Sequence, residues 1–186
     1  MRIIGGSLRG RPVNPPVGYK ARPTTDFAKE GLFNTLGNEY YFEDLAVLDL
    51  FSGTGSISFE FASRGAGEVI AVEMNPANAA FIKRTAAALG IARTVQVVHH
   101  NVFDFIPLCT KRFDIVFADP PYALEGLDTI PDKVLGAGLV VPEGYLVLEH
   151  PSEYNFAAHP SFVKERKYGN VHFSYFRPLP AESVES

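Results

Sequence analysis

The segment LAVLDLFSGTGSISFEFASRGA, residues 45–66, joins a strand pattern to a helix pattern through a turn with two glycines. Residues 45–51 form a near-continuous apolar run, which is typical of a strand covered on both faces of a parallel sheet. Residues 56–66 have the apolar spacing of a helix, and Gly65 is placed to end it. The segment therefore predicts the first strand, turn and helix of an α/β sheet.

Further strands and helices alternate along the chain. Strands are predicted at residues 68–73, 94–100, 112–118 and 145–150, and a helix at residues 75–90. Gly169 and Asn170 form a two-residue turn signal between strand patterns at 162–168 and 171–177, which favours an antiparallel hairpin. The sequence therefore predicts a doubly wound, mostly parallel α/β sheet with right-handed crossovers and a C-terminal antiparallel hairpin.

The N-terminal region departs from this alternation. Residues 2–13 predict a short, glycine-broken hairpin, and residues 27–37 predict a helix that Thr25 or Asp26 caps. We expect three parts: an N-terminal basic arm and helix, a core domain on which they pack, and a polar tail. Their predicted bounds are residues 1–40, 41–180 and 181–186.

Charge is distributed unevenly along the chain. Residues 1–25 carry a net charge of +5, whereas the whole chain carries −4. Such an arm suits contact with phosphates, which supply most sequence-independent affinity for nucleic acids. The alternative is a solvated arm that packs on its own domain.

Composition limits the function classes. The single cysteine, Cys109, excludes an internal disulfide and favours a reducing compartment. No apolar run reaches the ~20 residues that a membrane helix needs. We therefore expect a cytoplasmic monomer with no membrane partner and no metal.

The stretch DLFSGTGS, residues 49–56, is a candidate nucleoside site. Gly53 and Gly55 allow close approach to the backbone, and Asp49 and Glu73 lie where parallel sheets bind ligands. An acid at the position of Glu73 can accept hydrogen bonds from both ribose hydroxyls. The alternative is a tight turn with no ligand.

S-adenosylmethionine is the nucleoside that fits best. A dinucleotide-dependent dehydrogenase usually has a further substrate domain, for which this chain has no room. The ammonium group of S-adenosylmethionine suits an acid such as Asp49. Asn101 and Val102 could meet the adenine edge and face, although Asn101 could equally cap a helix.

The stretch FDIVFADPPYA, residues 113–123, brings a second functional group to the same edge. Pro120 and Pro121 end the strand and expose carbonyl oxygens beside Asp119, and Tyr122 adds an aromatic face. Two acceptors beside a flat ring fit an exocyclic amine, whose lone pair they can aim at the sulfonium methyl. Asp119 is then an orienting acceptor rather than an initial base. The alternative is a strand terminator with a surface tyrosine.

Together these motifs resemble the bacterial methyltransferases that modify guanine N2 in 16S ribosomal RNA, the RsmD type. The resemblance covers almost the whole chain and rests on RIIGGSLRGR (2–11), RPTTD (22–26), LFN (32–34), LDLFSGTGSISFEFASRGA (48–66), VEMN (72–75), DPPY (119–122) and the closing hairpin. It implies a Rossmann-like, seven-stranded class I methyltransferase fold with S-adenosylmethionine as cofactor. It also implies a flipped-out guanine of 16S rRNA or of the small ribosomal subunit as target.

The resemblance also implies site residues by position. The cofactor residues are Thr24, Thr25, Asp49, Phe51, Gly53, Gly55, Glu73, Met74, Asn101, Val102 and Asp119. The residues that hold the target amine are Asp119, Pro120, Pro121 and Tyr122. The RNA contacts are Arg9, Arg11, Lys20 and Arg22.

Three departures from the family pattern stand out. Ser58 replaces a third glycine, and we expect it to loosen or shift the helix packing without blocking the cofactor. Phe27 and Lys29 replace two arginines, so the arginine contacts with RNA that the family pattern implies for that helix are missing here. Tyr122 replaces the phenylalanine of several relatives, and either ring can stack.

Two other functions fit the same residues. Adenine-N6 methyltransferases that act on DNA or RNA use a similar acid-Pro-Pro-aromatic motif, although an arm of about 25 residues suits phosphate contact better than duplex readout. A non-catalytic nucleoside-binding module would also contain the glycine turn.

Overall fold

The computed structural model describes residues 1–19 and 24–181. Two predicted RNA contacts, Lys20 and Arg22, lie outside the described residues, as do residues 182–186 of the predicted tail.

Seven strands form one sheet in the order β3-β2-β1-β4-β5-β7-β6. The strands are β1 (Ala46–Leu50), β2 (Glu68–Glu73), β3 (Val95–His99), β4 (Phe113–Ala118), β5 (Val140–His150), β6 (Phe162–Tyr168) and β7 (Val171–Phe176). The first five run parallel, and β7 lies antiparallel between β5 and β6. The predicted doubly wound sheet with its C-terminal hairpin is confirmed.

Helices cover both faces of this sheet. They are α1 (Asp26–Gly37), α2 (Ser56–Ser63), α3 (Pro76–Ala88), α4 (Val102–Phe105) and α5 (Ile130–Gly136). Apolar residues of the first three helices join a core on one face, and those of the last two join a core on the other. Thr25, rather than Asp26, caps α1 by accepting a hydrogen bond from the Ala28 N–H (3.1 Å).

The sequence prediction placed the start of one strand wrongly and missed two short helices. β5 begins at Val140 rather than at residue 145, because Val140 pairs with Phe113 before a register shift in the ladder. α4 and α5 were not predicted, since each is too short to show a clear helical period. Burial of residues such as Val134 against the sheet stabilises such short helices.

The N-terminal hairpin is reduced to one antiparallel bridge between Arg2 and Pro12. Flanking backbone hydrogen bonds support it, including Ile3 N–H to the Arg11 carbonyl (3.0 Å) and Val13 N–H to the Met1 carbonyl (2.9 Å). The side chains of Ile3 and Val13 are both 2% exposed and join the core. The extension is therefore anchored by apolar burial as well as by hydrogen bonds.

Glu60 of α2 ties this extension to the core. Its fully buried carboxylate accepts hydrogen bonds from the N–H groups of Ile4 (3.1 Å) and Gly5 (2.8 Å). It also pairs with the cations of Lys29 (3.3 Å) and Arg64 (3.1 Å). Lys29 is itself 1% exposed, so this departure from the family pattern supplies a buried structural cation rather than a surface for RNA.

We expect Glu60→Gln to lower the free energy of unfolding by about 3–5 kcal/mol, because it leaves the buried Lys29 charge without its counter-charge. Urea unfolding at neutral pH measures the loss. Glu68→Gln is the matched control, since its pair with Lys111 is partly exposed and is worth at most about 1 kcal/mol. Equal losses in the two variants would contradict the role of Glu60.

Candidate active site

Four acids lie where neighbouring parallel strands end or are about to end. Asp49 is the penultimate residue of β1, Glu73 ends β2, Asp119 directly follows β4, and Glu149 is the penultimate residue of β5. These strands are adjacent in the sheet, and their carboxyl ends share one edge. This edge is where open parallel sheets bind ligands.

The turn between β1 and α2 has a left-handed backbone at three positions. Gly53 and Gly55 have φ angles of 59° and 84°, and Phe51 has a φ of 58°. A Cβ on Gly55 would lie 2.9 Å from the Phe59 ring, so the turn requires glycine there. A phenylalanine with positive φ is strained, and such strain concentrates at functional sites.

Glu73 fixes the conformation of this turn. Its carboxylate accepts hydrogen bonds from the N–H groups of Gly53 (2.7 Å) and Asn75 (2.9 Å). A carboxylate has further lone pairs, so Glu73 can still accept ribose hydroxyls. The predicted ribose acid is therefore held directly beside the glycine turn.

Asp49 is buried beneath the turn. It is 1% exposed, and the hydroxyl of the fully buried Ser58 donates to its Oδ2 (2.6 Å). Burial, with a smaller contribution from the Glu73 charge, raises the pKa of Asp49 to about 7. Within residues 1–19 and 24–181 no lysine or arginine pairs with it, so the ammonium group of a ligand would meet an unmatched acid.

The predicted adenine residues lie together at the ends of β2 and β3. The Asn101 amide donates to the Met74 sulfur (3.4 Å), and Met74 is 62% exposed. Asn101 also caps α4 through its Oδ1, which accepts from the Phe103 N–H (2.9 Å). The Val102 side chain is buried, which leaves its backbone as the group available to a ligand.

The tetrapeptide after β4 forms the other half of the edge. Pro120 is buried, whereas Pro121 and the 43%-exposed Tyr122 face solvent. The Pro121 carbonyl accepts a hydrogen bond from the Leu124 N–H (2.9 Å). No such bond occupies the Pro120 carbonyl within the described chain, so one free carbonyl rather than two lies beside Asp119.

Glu149 is a site residue that the sequence analysis missed. It is 5% exposed, and its carboxylate accepts hydrogen bonds from the hydroxyls of Tyr122 (3.1 Å) and Thr24 (3.4 Å). The signal was present, because Glu149 stands near the end of a parallel strand as Asp49 does. Thr24 thus contacts the acceptor half of the site, whereas the Thr25 hydroxyl is engaged as the cap of α1.

Tyr19 was also missed. A Cβ on Gly53 would lie 2.7 Å from the Tyr19 hydroxyl oxygen, so the tyrosine lies across the glycine turn. Burial raises the pKa of Tyr19, and the charges of Glu73 and Asp119 raise it further. Nothing in the surrounding sequence marks this tyrosine as a site residue.

The described part of the basic arm lies mostly at the surface. Arg9 and Arg11 are exposed, and Arg11 lines a groove of about 490 Å³ together with Arg84 of α3. Neither of the two groove arginines forms an ion pair with an acid of the described residues. The groove is therefore suited to a ligand with negative charge.

Residues 1–19 and 24–181 contain neither a candidate membrane helix nor a candidate metal cluster. No helix there is long and apolar enough to cross a membrane. The same residues contain no group of three or more histidine, cysteine or acidic side chains placed to hold a metal ion.

The fold and the edge together define the class of the protein. A parallel sheet with an antiparallel strand inserted next to the last one, and a glycine turn after the first strand, is the architecture of class I methyltransferases. The chain has the class I methyltransferase fold. An RNA methyltransferase from Salinibacter ruber that shares this fold, with 13% identity and a TM-score of 0.66 over 89% of this chain and 100% of that chain, is in complex with S-adenosyl-L-homocysteine. The glycine turn, Glu73 and the unmatched acid Asp49 fit that molecule.

The chain belongs to the family described as Conserved hypothetical protein 95, whose profile matches residues 1–177. The ribosomal RNA small subunit methyltransferase D of Escherichia coli (strain K12) is 32% identical over 187 residues, which cover 98% of this chain and 93% of that protein. The tRNA1(Val) (adenine(37)-N6)-methyltransferase of Mannheimia succiniciproducens is 32% identical over 94 residues, covering 50% of this chain and 36% of that protein.

A solved structure supports the same assignment. The yhhF protein of Escherichia coli, 32% identical, superimposes with a TM-score of 0.84 over 96% of this chain and 98% of that chain. The predicted family resemblance is confirmed.

We expect the affinity for S-adenosylhomocysteine to rise about tenfold from pH 6 to pH 8, because only ionised Asp49, with a pKa of about 7, attracts the ligand's ammonium. Below that pKa, binding must first remove the proton. Asp49→Asn should bind more weakly and show no such rise. Calorimetric titration across this pH range measures both effects.

Asp104→Asn is the control for that experiment, since Asp104 is an exposed acid in the first turn of α4. It should keep the pH dependence of the unmodified protein. A flat profile in the unmodified protein would contradict the assignment of Asp49 to the ammonium.

Proposed function

We propose that the protein transfers a methyl group from S-adenosylmethionine to the exocyclic N2 amine of a guanine in 16S ribosomal RNA. The observation that carries the proposal is the arrangement of Asp119, the free Pro120 carbonyl and the Tyr122 ring at the edge that also holds the glycine turn. The two oxygens are acceptors for the two N–H bonds of one amine, and the ring is a stacking surface for its base.

The chemistry that this arrangement favours is positioning. An exocyclic amine is a poor nucleophile because its lone pair is delocalised into the ring. Acceptors on both N–H bonds favour a pyramidal nitrogen whose lone pair points at the sulfonium methyl. Orientation of this kind contributes about 7–11 kcal/mol in well-aligned reactions, so no strong initial base is needed.

The RNA substrate is supported by the relatives and by the basic extension. The E. coli relative is named a ribosomal RNA small subunit methyltransferase and covers nearly the whole of this chain. Arg9 and Arg11 offer exposed positive charge in a chain whose net charge is −4. The proposed partner is therefore 16S rRNA or the small ribosomal subunit, which implies a cytoplasmic location.

Adenine-N6 methylation is the second candidate. The M. succiniciproducens relative is named for that activity, and an adenine amine presents the same two N–H bonds to Asp119 and Pro120. That similarity covers half of the chain, whereas the similarity to the rRNA methyltransferase includes the N-terminal extension. Guanine N2 is therefore favoured.

We expect labelled-methyl transfer to 16S rRNA or small subunits, with N2-methylguanosine as the product of nucleoside analysis. Asp119→Ala should lower the rate by at least about 100-fold, because the amine loses a preorganised acceptor. Duplex DNA serves as the control substrate. Methyladenine as the main product would contradict the base assignment, and a normal rate in the variant would contradict the site.

We expect Arg9→Ala and Arg11→Ala to weaken RNA binding and to leave S-adenosylhomocysteine binding unchanged, because both arginines are exposed on the N-terminal extension. Each lost phosphate contact should lower the slope of log affinity against log salt by about 0.7. Arg112→Ala is the control, since Arg112 is exposed just before β4, at the opposite edge of the sheet. Equal losses of cofactor and RNA binding would contradict this division.

A further inference from the structure

Glu149 lies beside Asp119 but has no place in the reaction described so far. The register of β4 and β5 pairs Ala118 with Leu148, so Asp119 and Glu149 are the next residues on neighbouring parallel strands. Neighbouring strands lie about 4.8 Å apart. Paired residues of neighbouring parallel strands point to the same face of the sheet, so the two carboxyl groups can share a hydrogen bond in which one of them carries the proton.

The hydrogen-bond donors indicate which carboxyl group carries that proton. The hydroxyls of Tyr122 and Thr24 both donate to Glu149, and these bonds favour its ionised form. No side chain of the described residues donates a hydrogen bond to Asp119. Burial, and then the charge of Glu149, raise the pKa of Asp119 well above its usual range. The resting pair is therefore a neutral Asp119 that donates to an ionised Glu149.

We propose that Glu149 is a positioning residue of the acceptor site and that it receives, through Asp119, the proton that the methylated amine loses. This inference rests on the proposed methyl transfer. Glu149 positions by fixing the hydroxyl of Tyr122, and hence its ring, and by orienting Asp119 so that its second oxygen stays free to accept an amine N–H.

The step balances in atoms and charge. The amine lone pair forms the new N–C bond while the S–C bond of the donor breaks. The electron pair of the broken S–C bond returns to sulfur. The nitrogen, now cationic, gives a proton to the free oxygen of Asp119. Asp119 passes its own proton to Glu149 at the same time. Asp119 is neutral before and after, Glu149 ends protonated, and solvent later removes that proton.

Other ionisable groups surround the pair. The charge of Asp49 on β1 contributes to the raised pKa of Asp119. The charge of Glu153, in the loop after β5, contributes to the raised pKa of Tyr122. Phe173 on β7 pairs with Glu149 in the ladder and carries no charge. Within the described chain no lysine or arginine forms an ion pair with either carboxyl. Burial raises the pKa of Glu149, and hydrogen bonds from Tyr122, Asp119 and Thr24 oppose that rise.

These groups predict how the rate depends on pH. A pair with both carboxyls protonated cannot take up the amine's proton, so kcat should rise with pH as Glu149 ionises. Tyr122→Phe removes a donor to ionised Glu149 and should move this rise to higher pH. Glu149→Gln leaves Asp119 as the remaining acid of the pair, so the rise should then follow the ionisation of Asp119. Because Asp119 is desolvated and receives no hydrogen bond from a described side chain, this rise should lie at higher pH than that of the unmodified protein.

The test measures single-turnover methyl transfer across pH in the full-length chain with saturating S-adenosylmethionine. Glu149→Gln should lower the plateau rate about tenfold or more and shift the rise to higher pH, with unchanged affinity for S-adenosylhomocysteine. Glu153→Gln is the matched control, since this exposed acid near Tyr122 forms no hydrogen bond with it, and it should keep both the rate and the profile. An unmoved rise in Glu149→Gln overturns the proposal, whether or not its plateau falls.

A carboxyl ¹³C NMR titration keeps this inference separable from the proposed function. With Asp119→Asn used to assign the signal, Asp119 should titrate at lower pH in Glu149→Gln than in the unmodified protein. An identical titration overturns the proton-sharing pair even if rRNA is methylated. Failure of the unmodified protein to methylate any RNA contradicts the proposed function, while the titration still tests the pair.

Discussion

The parallel alignment of β1, β4 and β5 is the constraint on which the rest of the site depends. Because these strands are adjacent and run the same way, Asp49, Asp119 and Glu149 must all lie near one edge. Asp49 and Glu149 are buried and Asp119 is partly buried, which is costly unless the carboxyl groups find hydrogen-bond partners. Ser58 serves Asp49, and Tyr122 with Thr24 serves Glu149, so residues distant in sequence are recruited to one small region.

The edge has a donor half, formed by the glycine turn with Asp49 and Glu73, and an acceptor half, formed by residues 119–122 with Glu149. The buried acids are compensated differently in the two halves. In the donor half, Asp49 lacks a described cationic partner, and the cofactor would supply the positive charge. In the acceptor half, Asp119 and Glu149 satisfy each other by sharing a proton. The cofactor also binds only the folded chain, so it should stabilise a fold that carries these acids at some energetic cost. Glu60 uses a buried acid differently, since two cations and two backbone N–H groups surround it.

Sequence patterns predicted the sheet and half of the site because buried parallel strands leave long apolar runs and their ends carry glycine, proline or acid. Glu149 was missed because the strand-end rule that marked Asp49 and Asp119 was not applied to β5, and its contact with Tyr122, 27 residues away, is visible only in the fold. The predicted pair of free proline carbonyls became one because a local turn occupies Pro121. The sequence analysis treated Lys29 only as the loss of an arginine that contacts RNA. The packing of α1 against α2 shows that Lys29 is a buried ion-pair partner of Glu60.

A structure of the protein with S-adenosylhomocysteine and an RNA oligonucleotide that contains the target base tests the central claim most directly. The account predicts that the exocyclic amine lies within hydrogen-bond distance of both the Asp119 carboxyl and the Pro120 carbonyl, with the base stacked on Tyr122. It also predicts that the cofactor sulfur lies above the Gly53 turn and faces the amine. A base bound away from Asp119, or an amine whose acceptors are other residues, would contradict the account.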